Sequence, residues 1–229
     1  MEPHFKPVAD HALLVTFSDA ISEEAHSAVI ALDQAITADV PEGVIETVPA
    51  LVNLLVSFDP IQTDHRAVEN RLQSLLDGLE SQKIIGVDRH VQVCYEGDFA
   101  PDLEAVATAT GLSQEAVINA HLAGDFHVLM YGFSPGYAYL SGVPEAIQVP
   151  RKPAPVRGVP AGSVIIAGPQ CLITTLTMPT GWSIIGRTPT PILTGNPDHP
   201  FLFDVGDRVV FERIDLKAYQ GLCKDKADG

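Results

Sequence analysis

The sequence predicts a two-domain α+β protein, with residues 1–88 as a ferredoxin-like βαββαβ domain and residues 89–229 as a β-barrel domain that starts with two short helices. Three observations predict it. Segments of strand and helix periodicity alternate in the order β-α-β-β-α-β up to Tyr95. Two capped helical stretches follow, between Pro101 and Gly124. From residue 131 onward the chain carries 12 of its 18 glycines and 12 of its 18 prolines, interleaved with short apolar runs. That is the texture of a closed or nearly closed barrel with many tight turns.

Each element has its own justification. His11–Phe17 is apolar and strand-like, and Ser22 with Glu23 and Glu24 offers an N-cap and first-turn acids to a helix with Ala25, Val29, Leu32 and Ile36 on one face. Val44–Val48 and Leu51–Phe58 are two strand signals, with Pro49 read as the bend between them. Asp64 opens a second helix whose Val68, Leu72, Leu75 and Leu79 recur at helical spacing. His90–Tyr95, with Val91, Val93 and Tyr95 on one side, is read as the last strand of the first domain. Pro101 suits the first turn of a helix that turns Leu103, Val106 and Ala107 inward and stops at Gly111. Ser113 caps the next, with Leu112 placed to staple against Val117. Beyond it, Asp125–Gly132, Ser163–Ala167 and Arg208–Phe211 read as barrel strands.

Composition excludes several function classes. Lys and Arg number 14 against 29 Asp and Glu, for a formal charge of -15, and such a surface repels a nucleic-acid backbone. No acidic run has the pattern of a calcium loop, so the charge is read as serving solubility. There is no signal-like start and no apolar stretch of 18 residues, so a cytoplasmic location and no membrane partner are expected. Cys94, Cys171 and Cys223 are too few and too scattered for a disulfide framework or a cysteine zinc site, and no metal is expected.

The usual catalytic signatures are missing. There is no phosphate-binding Gly-x4-Gly-Lys loop, no Gly-x-Gly-x-x-Gly after a strand and no His-Glu-x-x-His. Gly132-Phe133-Ser134-Pro135-Gly136 spells Gly-x-Ser-x-Gly, the pattern of a serine nucleophile elbow. Pro135 has no N–H to give to an oxyanion hole, and the residues after it break a helix too often. His121 and His127 are read as surface or hydrogen-bonded structural histidines.

What remains is a set of polar-plus-glycine clusters in the second domain: Pro150-Arg151, Val159–Ser163, Gly168–Gln170, Gly181-Trp182 and Ile185–Pro189. Glycine admits close backbone approach, and arginine grips carboxylate or phosphate in a bidentate fork, so the clusters could converge on one barrel face. The competing reading is that the glycines and prolines only make turns and the arginines are solvated.

At these clusters the chain resembles a known family. "GFSPGYAYL", "VPAGSVIIAG", "GW" and "IIGRTP", together with "GVIETVPALVNLLVSFDP" and "VCYEGDFAPDLEAVATATGLSQEAV", are similar to the group that takes in allophanate hydrolase subunit 1, the B-type subunit of 5-oxoprolinase and the sporulation-kinase inhibitors, and that corresponds to carboxyltransferase subdomains C and D. The resemblance implies a small α+β domain followed by a cyclophilin-like β-barrel. It puts Ser134 at a variable position of the family's motif. It also implies three activities. The first is a subunit of an ATP-dependent 5-oxoprolinase that turns 5-oxoproline into glutamate. That subunit would work only with a partner similar to allophanate hydrolase subunit 2 (the C-type subunit of 5-oxoprolinase) and a third subunit. The second is a carboxyltransferase-type subunit of a urea-carboxylase-like enzyme, which would bring in biotin. The third is a histidine-kinase inhibitor without chemistry of its own.

Residue by residue, the resemblance implies that Arg187 and Arg151 hold phosphate, carboxylate or oxyanion charge and that Gln170 faces an amide edge as the third catalytic candidate. Tyr139 and Trp182 would wall the substrate, Gly136, Gly181 and Gly186 would let backbone approach it, and Ser163 and Thr188 would offer hydroxyls. Tyr139 and Trp182 suit core packing equally, and the two hydroxyls suit local backbone satisfaction. The chain departs from the family pattern at Pro155-Val156-Arg157, in Cys171–Trp182 and at "PALVN", which bears on the substrate and on whether activity is retained.

Overall fold

The computed structural model describes residues 3–78 and 86–225, and the chain separates into two units, Met1–Ile85 and Gly86–Gly229. In the first, strands β1 (His4–Val8), β2 (Ala12–Thr16), β3 (Val44–Ala50) and β4 (Asn53–Phe58) form antiparallel pairs in the order β1-β2-β4-β3. Helices α1 (Glu23–Ala38) and α2 (His65–Gly78) cover one face. Ser22 Oγ accepts the Ala25 N–H at 3.1 Å and Asp64 Oδ1 accepts the Ala67 N–H at 2.8 Å, caps worth about 1 kcal/mol each. The α1 stripe of Ala25, Val29, Leu32 and Ile36 is buried with Leu13, Val15, Leu54 and Val56. Leu79 lies outside the described residues.

This unit differs from the expected order in its fourth strand. β2-α1-β3 with β4 between them is the split arrangement predicted, but the place beside β2 is held by β1, from the start of the chain. The strand expected to fill it belongs to the second unit as β5 (Asp88–Cys94). Alternation identifies a strand but not the sheet it joins, and β1, with Lys6, Pro7 and mostly exposed positions, has the weak pattern of an edge. Pro49 does not make the bend either. It sits within β3 opposite Leu54, and the reversal comes at Leu51, whose φ is 55°.

The second unit contains helices α3 (Leu103–Thr110), α4 (Gln114–Leu122) and α5 (Leu216–Asp225) and strands β5, β6 (Phe126–Tyr131), β7 (Ala138–Leu140), β8 (Val156–Val159), β9 (Ser163–Ala167), β10 (Gln170–Ile173), β11 (Met178–Thr180), β12 (Ser183–Arg187) and β13 (Arg208–Ile214). Seven of the strands close a barrel in the order β6-β13-β5-β12-β9-β10-β7, with β7 returning to β6. β13 runs parallel to β5, a pairing of segments about 120 residues apart in sequence. The interior takes alternate residues from every strand, among them Val93, Val128, Leu140, Ile166, Ile173, Ile185 and Phe211, and α3 and α4 add Leu103, Val106 and Val117 to it. Ile165 and Ala167 turn outward into a second cluster with Leu172, Trp182 and Ile184, covered by Val159 and Met178 of the separate β8–β11 ribbon. β9 is therefore buried on both faces, which explains its unbroken apolar run.

A buried histidine lies within the barrel core. His121 is fully buried, its Nδ1 lies 2.8 Å from the Tyr95 hydroxyl, and its ring packs on Phe126 and Phe211. Burial holds the imidazole down at about 3 and pushes the Tyr95 hydroxyl and the Cys171 thiol up. His127 is half-exposed, 3.2 Å from Asp125. Among the described residues no helix is long and apolar enough to cross a membrane, and no group of three or more His, Cys, Asp or Glu residues could hold a metal.

Candidate functional site

Strand β12 ends in Arg187, and Trp182, just before its start, lies under Arg151. At its start, Trp182 follows the β8–β11 ribbon, donates its backbone N–H to Thr180 Oγ1 at 3.1 Å and buries its indole in the outer cluster. Its ring meets Tyr139 edge-on at 6.1 Å, and Tyr139 meets Tyr137 at 5.8 Å. Burial pushes the Tyr137 hydroxyl up to about 12, so it stays protonated. Arg151 lies over the indole with Cζ 5.4 Å from the ring centroid. The backbone holds it there: the Lys152 N–H donates to Gly181 O at 2.7 Å.

The neighbouring charge is already spoken for. Lys152 Nζ is 2.5 Å from Asp102 Oδ2, which also accepts the Ile184 N–H at 2.7 Å, while the Asp102 N–H donates to Ile184 O. Lys152 is thus neutralised by the carboxylate that pins α3 to β12, whereas Arg151 has no carboxylate partner among the described residues. Gln170 alternates with Cys171 of the interior and shares the outward face of Leu172. The turn preceding it is tied to the Arg151 segment, because the Gly168 N–H donates to Val149 O at 2.7 Å. Arg151, Trp182, Tyr139 and the Gln170 position therefore belong to one outer face of the barrel.

Arg187 forms a second centre at the far end of the strand. Its Cζ lies 4.9 Å from the Phe99 centroid, and Phe99 in turn packs on Tyr219 of α5 at 4.4 Å. Its Nε is enclosed and has no hydrogen-bond partner, and no carboxylate pairs with its guanidinium among the described residues. Burial, helped by Cys223, raises the Tyr219 hydroxyl to about 12 against the opposing effect of Arg187. The two arginines rest on different aromatic rings, Arg151 on Trp182 and Arg187 on Phe99.

The other predicted site residues have structural partners. Ser163 Oγ donates to Pro160 O at 2.8 Å, and Thr188 Oγ1 accepts the Thr190 N–H at 2.9 Å. Gly136 has φ +69°, and a Cβ there would lie 2.7 Å from Leu193 Cδ2. A Cβ on Gly186 would lie 2.6 Å from Val93 Cγ1 and 3.2 Å from Cys94 O, so this glycine admits the β5 backbone and the barrel interior. We expect Gly186→Ala to cost about 1–3 kcal/mol by overpacking, read as a lowered denaturant midpoint; an unchanged midpoint would show that β5 yields freely. Ser134 is followed by strand β7 and its Oγ has no hydrogen-bond partner, so no base activates it and the elbow is not formed. Sequence reasoning missed Phe99, Tyr219 and the Lys152–Asp102 pair. Only adjacency to Arg151 offered a signal, for Lys152.

Known proteins share both the sequence pattern and this architecture. The pattern of the carboxyltransferase domain, subdomain C and D, matches residues 3–203. The chain belongs to that family. The B-type subunit of the Bacillus subtilis (strain 168) 5-oxoprolinase is 36% identical over 226 residues, covering 93% of each chain. Its counterpart from Escherichia coli O157:H7 is 36% identical over 188 residues, covering 81% of this chain and 83% of its own. Among solved structures, TTHA0988 superposes with a TM-score of 0.78 at 34% identity over 90% of this carboxyltransferase-family chain, which spans only 40% of the TTHA0988 chain. The Kluyveromyces lactis urea amidolyase, at 16% identity and a TM-score of 0.78, covers 99% of this chain with 16% of its own and shares the fold.

Proposed function

We propose that this chain is a subunit of a heteromeric, ATP-dependent 5-oxoprolinase that opens 5-oxoproline to glutamate, active only with a second, C-type subunit and a third subunit. The observation that carries the reading is the 36% identity to the B-type subunit of the Bacillus subtilis 5-oxoprolinase over 93% of both chains. The arginine geometry supports it: in a chain of formal charge -15, Arg151 and Arg187 each rest on an aromatic ring with no carboxylate partner among the described residues, which suits anionic ligands.

Ring opening adds water across the lactam C–N bond, so the carbonyl carbon gains an oxygen and the nitrogen gains a proton. An unstrained lactam is a poor electrophile; transfer of the γ-phosphoryl group of ATP to its oxygen, with release of ADP, would activate the carbon, and a second water would replace that oxygen as it leaves in inorganic phosphate. The Arg187 guanidinium has no carboxylate partner among the described residues, which suits an anionic oxygen, while the sequence carries no nucleotide motif, so the rest of the nucleotide site is left to partner subunits. Within this chain, Arg151 would grip the substrate carboxylate, with the buried Trp182 holding its guanidinium from beneath rather than walling the substrate, Tyr139 would border the planar ring, and Gln170 would offer a donor and an acceptor to the amide edge. Arg187 would stabilise a second negative charge, the one that develops during the reaction. The test is coupled release of glutamate and ADP from 5-oxoproline. We expect release from the reconstituted mixture and none from this chain alone; no release from any mixture would reject the reading. In that event the family's carboxyltransferase description favours transfer of a carboxyl group to an amide-like nitrogen, with biotin as its carrier.

A further inference from the structure

The turn before β7 holds an exposed aromatic in a costly conformation. Phe133 has φ 68°, and the Ser134 N–H donates to Gly132 O at 2.8 Å, which closes a three-residue turn around it. A positive φ is rare for a bulky side chain, and the γ-turn of this hand is strained. The side chain is 75% exposed, so burial within the chain does not offset the strain. Phe133 also has apolar company. Leu193 packs beneath Gly136, Thr175 Oγ1 donates to Pro135 O at 2.9 Å, and the adjoining Leu176 and Leu193 are 48% and 36% exposed.

No charged residue occurs at positions 132–136, 174–177 or 192–196, although the chain as a whole carries -15. A strained, exposed aromatic, 5.6 Å from the Tyr137 ring and in a turn whose neighbouring Leu193 and Leu176 are also exposed, has the composition of a binding hot spot. A second copy of this chain is a poor occupant, because two bodies of charge -15 repel each other as they approach. Charge complementarity selects a different protein with a neutral or basic rim. TTHA0988 contains this fold at 34% identity within a chain of which it makes up 40%, so there the fold is joined to a larger companion region.

We propose that the patch centred on Phe133 is the docking surface for the second subunit, which receives the Phe133 ring in an apolar pocket. This rests on the heteromeric reading above. The probe is the purified C-type 5-oxoprolinase subunit of the same organism, titrated calorimetrically with wild type, Phe133→Gly and Phe133→Asp. Wild type binds; Phe133→Gly binds at least tenfold more weakly, and Phe133→Asp more weakly still. Glycine relieves the positive φ, so the isolated Phe133→Gly chain melts about 1–3 °C higher than wild type. Equal binding by wild type and both variants, or a lowered melting point for Phe133→Gly, overturns the proposal alone. If wild type itself forms no complex, the heteromeric reading falls and the docking surface with it. A wild-type homodimer that Phe133→Asp dissolves would assign the patch to a second copy instead.

Discussion

Arg187→Met in the reconstituted enzyme is expected to lower kcat by about 10²–10³-fold, the size of effect seen when one donor to a developing oxyanion is removed. The methionine keeps an apolar stem on Phe99, and the Nε it removes has no hydrogen-bond partner to lose. Stability falls only by the cation–π contact, about 0.5–2 kcal/mol. Arg151→Met behaves differently, because its guanidinium is assigned to the substrate carboxylate: KM for 5-oxoproline rises at least tenfold and kcat changes less. Steady-state kinetics with thermal melts decide the matter. Equal loss of activity and folding in Arg187→Met would make it a packing residue, and a pure KM effect would move it to ground-state binding.

The second large effect is an acid instability centred on His121. Burial depresses its folded-state pKa from 6.5 to about 3, and the protonated Tyr95 hydroxyl and Cys171 thiol beside it supply no negative charge to an imidazolium. Below about pH 6.5 the unfolded chain therefore binds a proton that the folded chain refuses, so the stability present above that pH is lost as pH falls. The loss is about 1.4 kcal/mol per pH unit and levels off near pH 3, on the order of 4–5 kcal/mol in total. His121→Gln removes the titration and leaves a polar partner for Tyr95. Urea midpoints at pH 7.5, 6 and 5 should show the variant less stable at neutral pH and the gap closing as pH falls. Parallel loss in both proteins would contradict the assignment.

Local chemistry made much of the fold legible. The Ser22, Asp64 and Ser113 caps, the inward stripe of α3 and its stop at Gly111, whose φ is 70°, follow from residues close together in sequence. The partner of β5 does not, because its parallel pairing with β13 links segments about 120 residues apart and no local pattern encodes that choice. The candidate site divides the same way. Arg151, Gln170, Tyr139 and Trp182 stand in recognisable clusters, and the barrel brings them to one face. What Arg187 rests on was not legible, because Phe99 comes from a short turn and Tyr219, behind it, from α5, neither adjacent to Arg187 in sequence. Ser163 and Gly186 read equally as ligand contacts and as packing until the Pro160 carbonyl and the Val93 methyl appear beside them.

If β12 presents two separate anion centres to one reaction, the two arginines must act independently. A double-mutant cycle on kcat/KM for 5-oxoproline, with Arg151→Met, Arg187→Met and the pair in the reconstituted enzyme, measures that independence. Groups that act on different anions and share no partner are uncoupled, so the two losses should multiply, with a coupling energy within about 0.5 kcal/mol of zero. A double variant no worse than the weaker single variant would mean that both arginines grip the same anion, contradicting the two-centre arrangement.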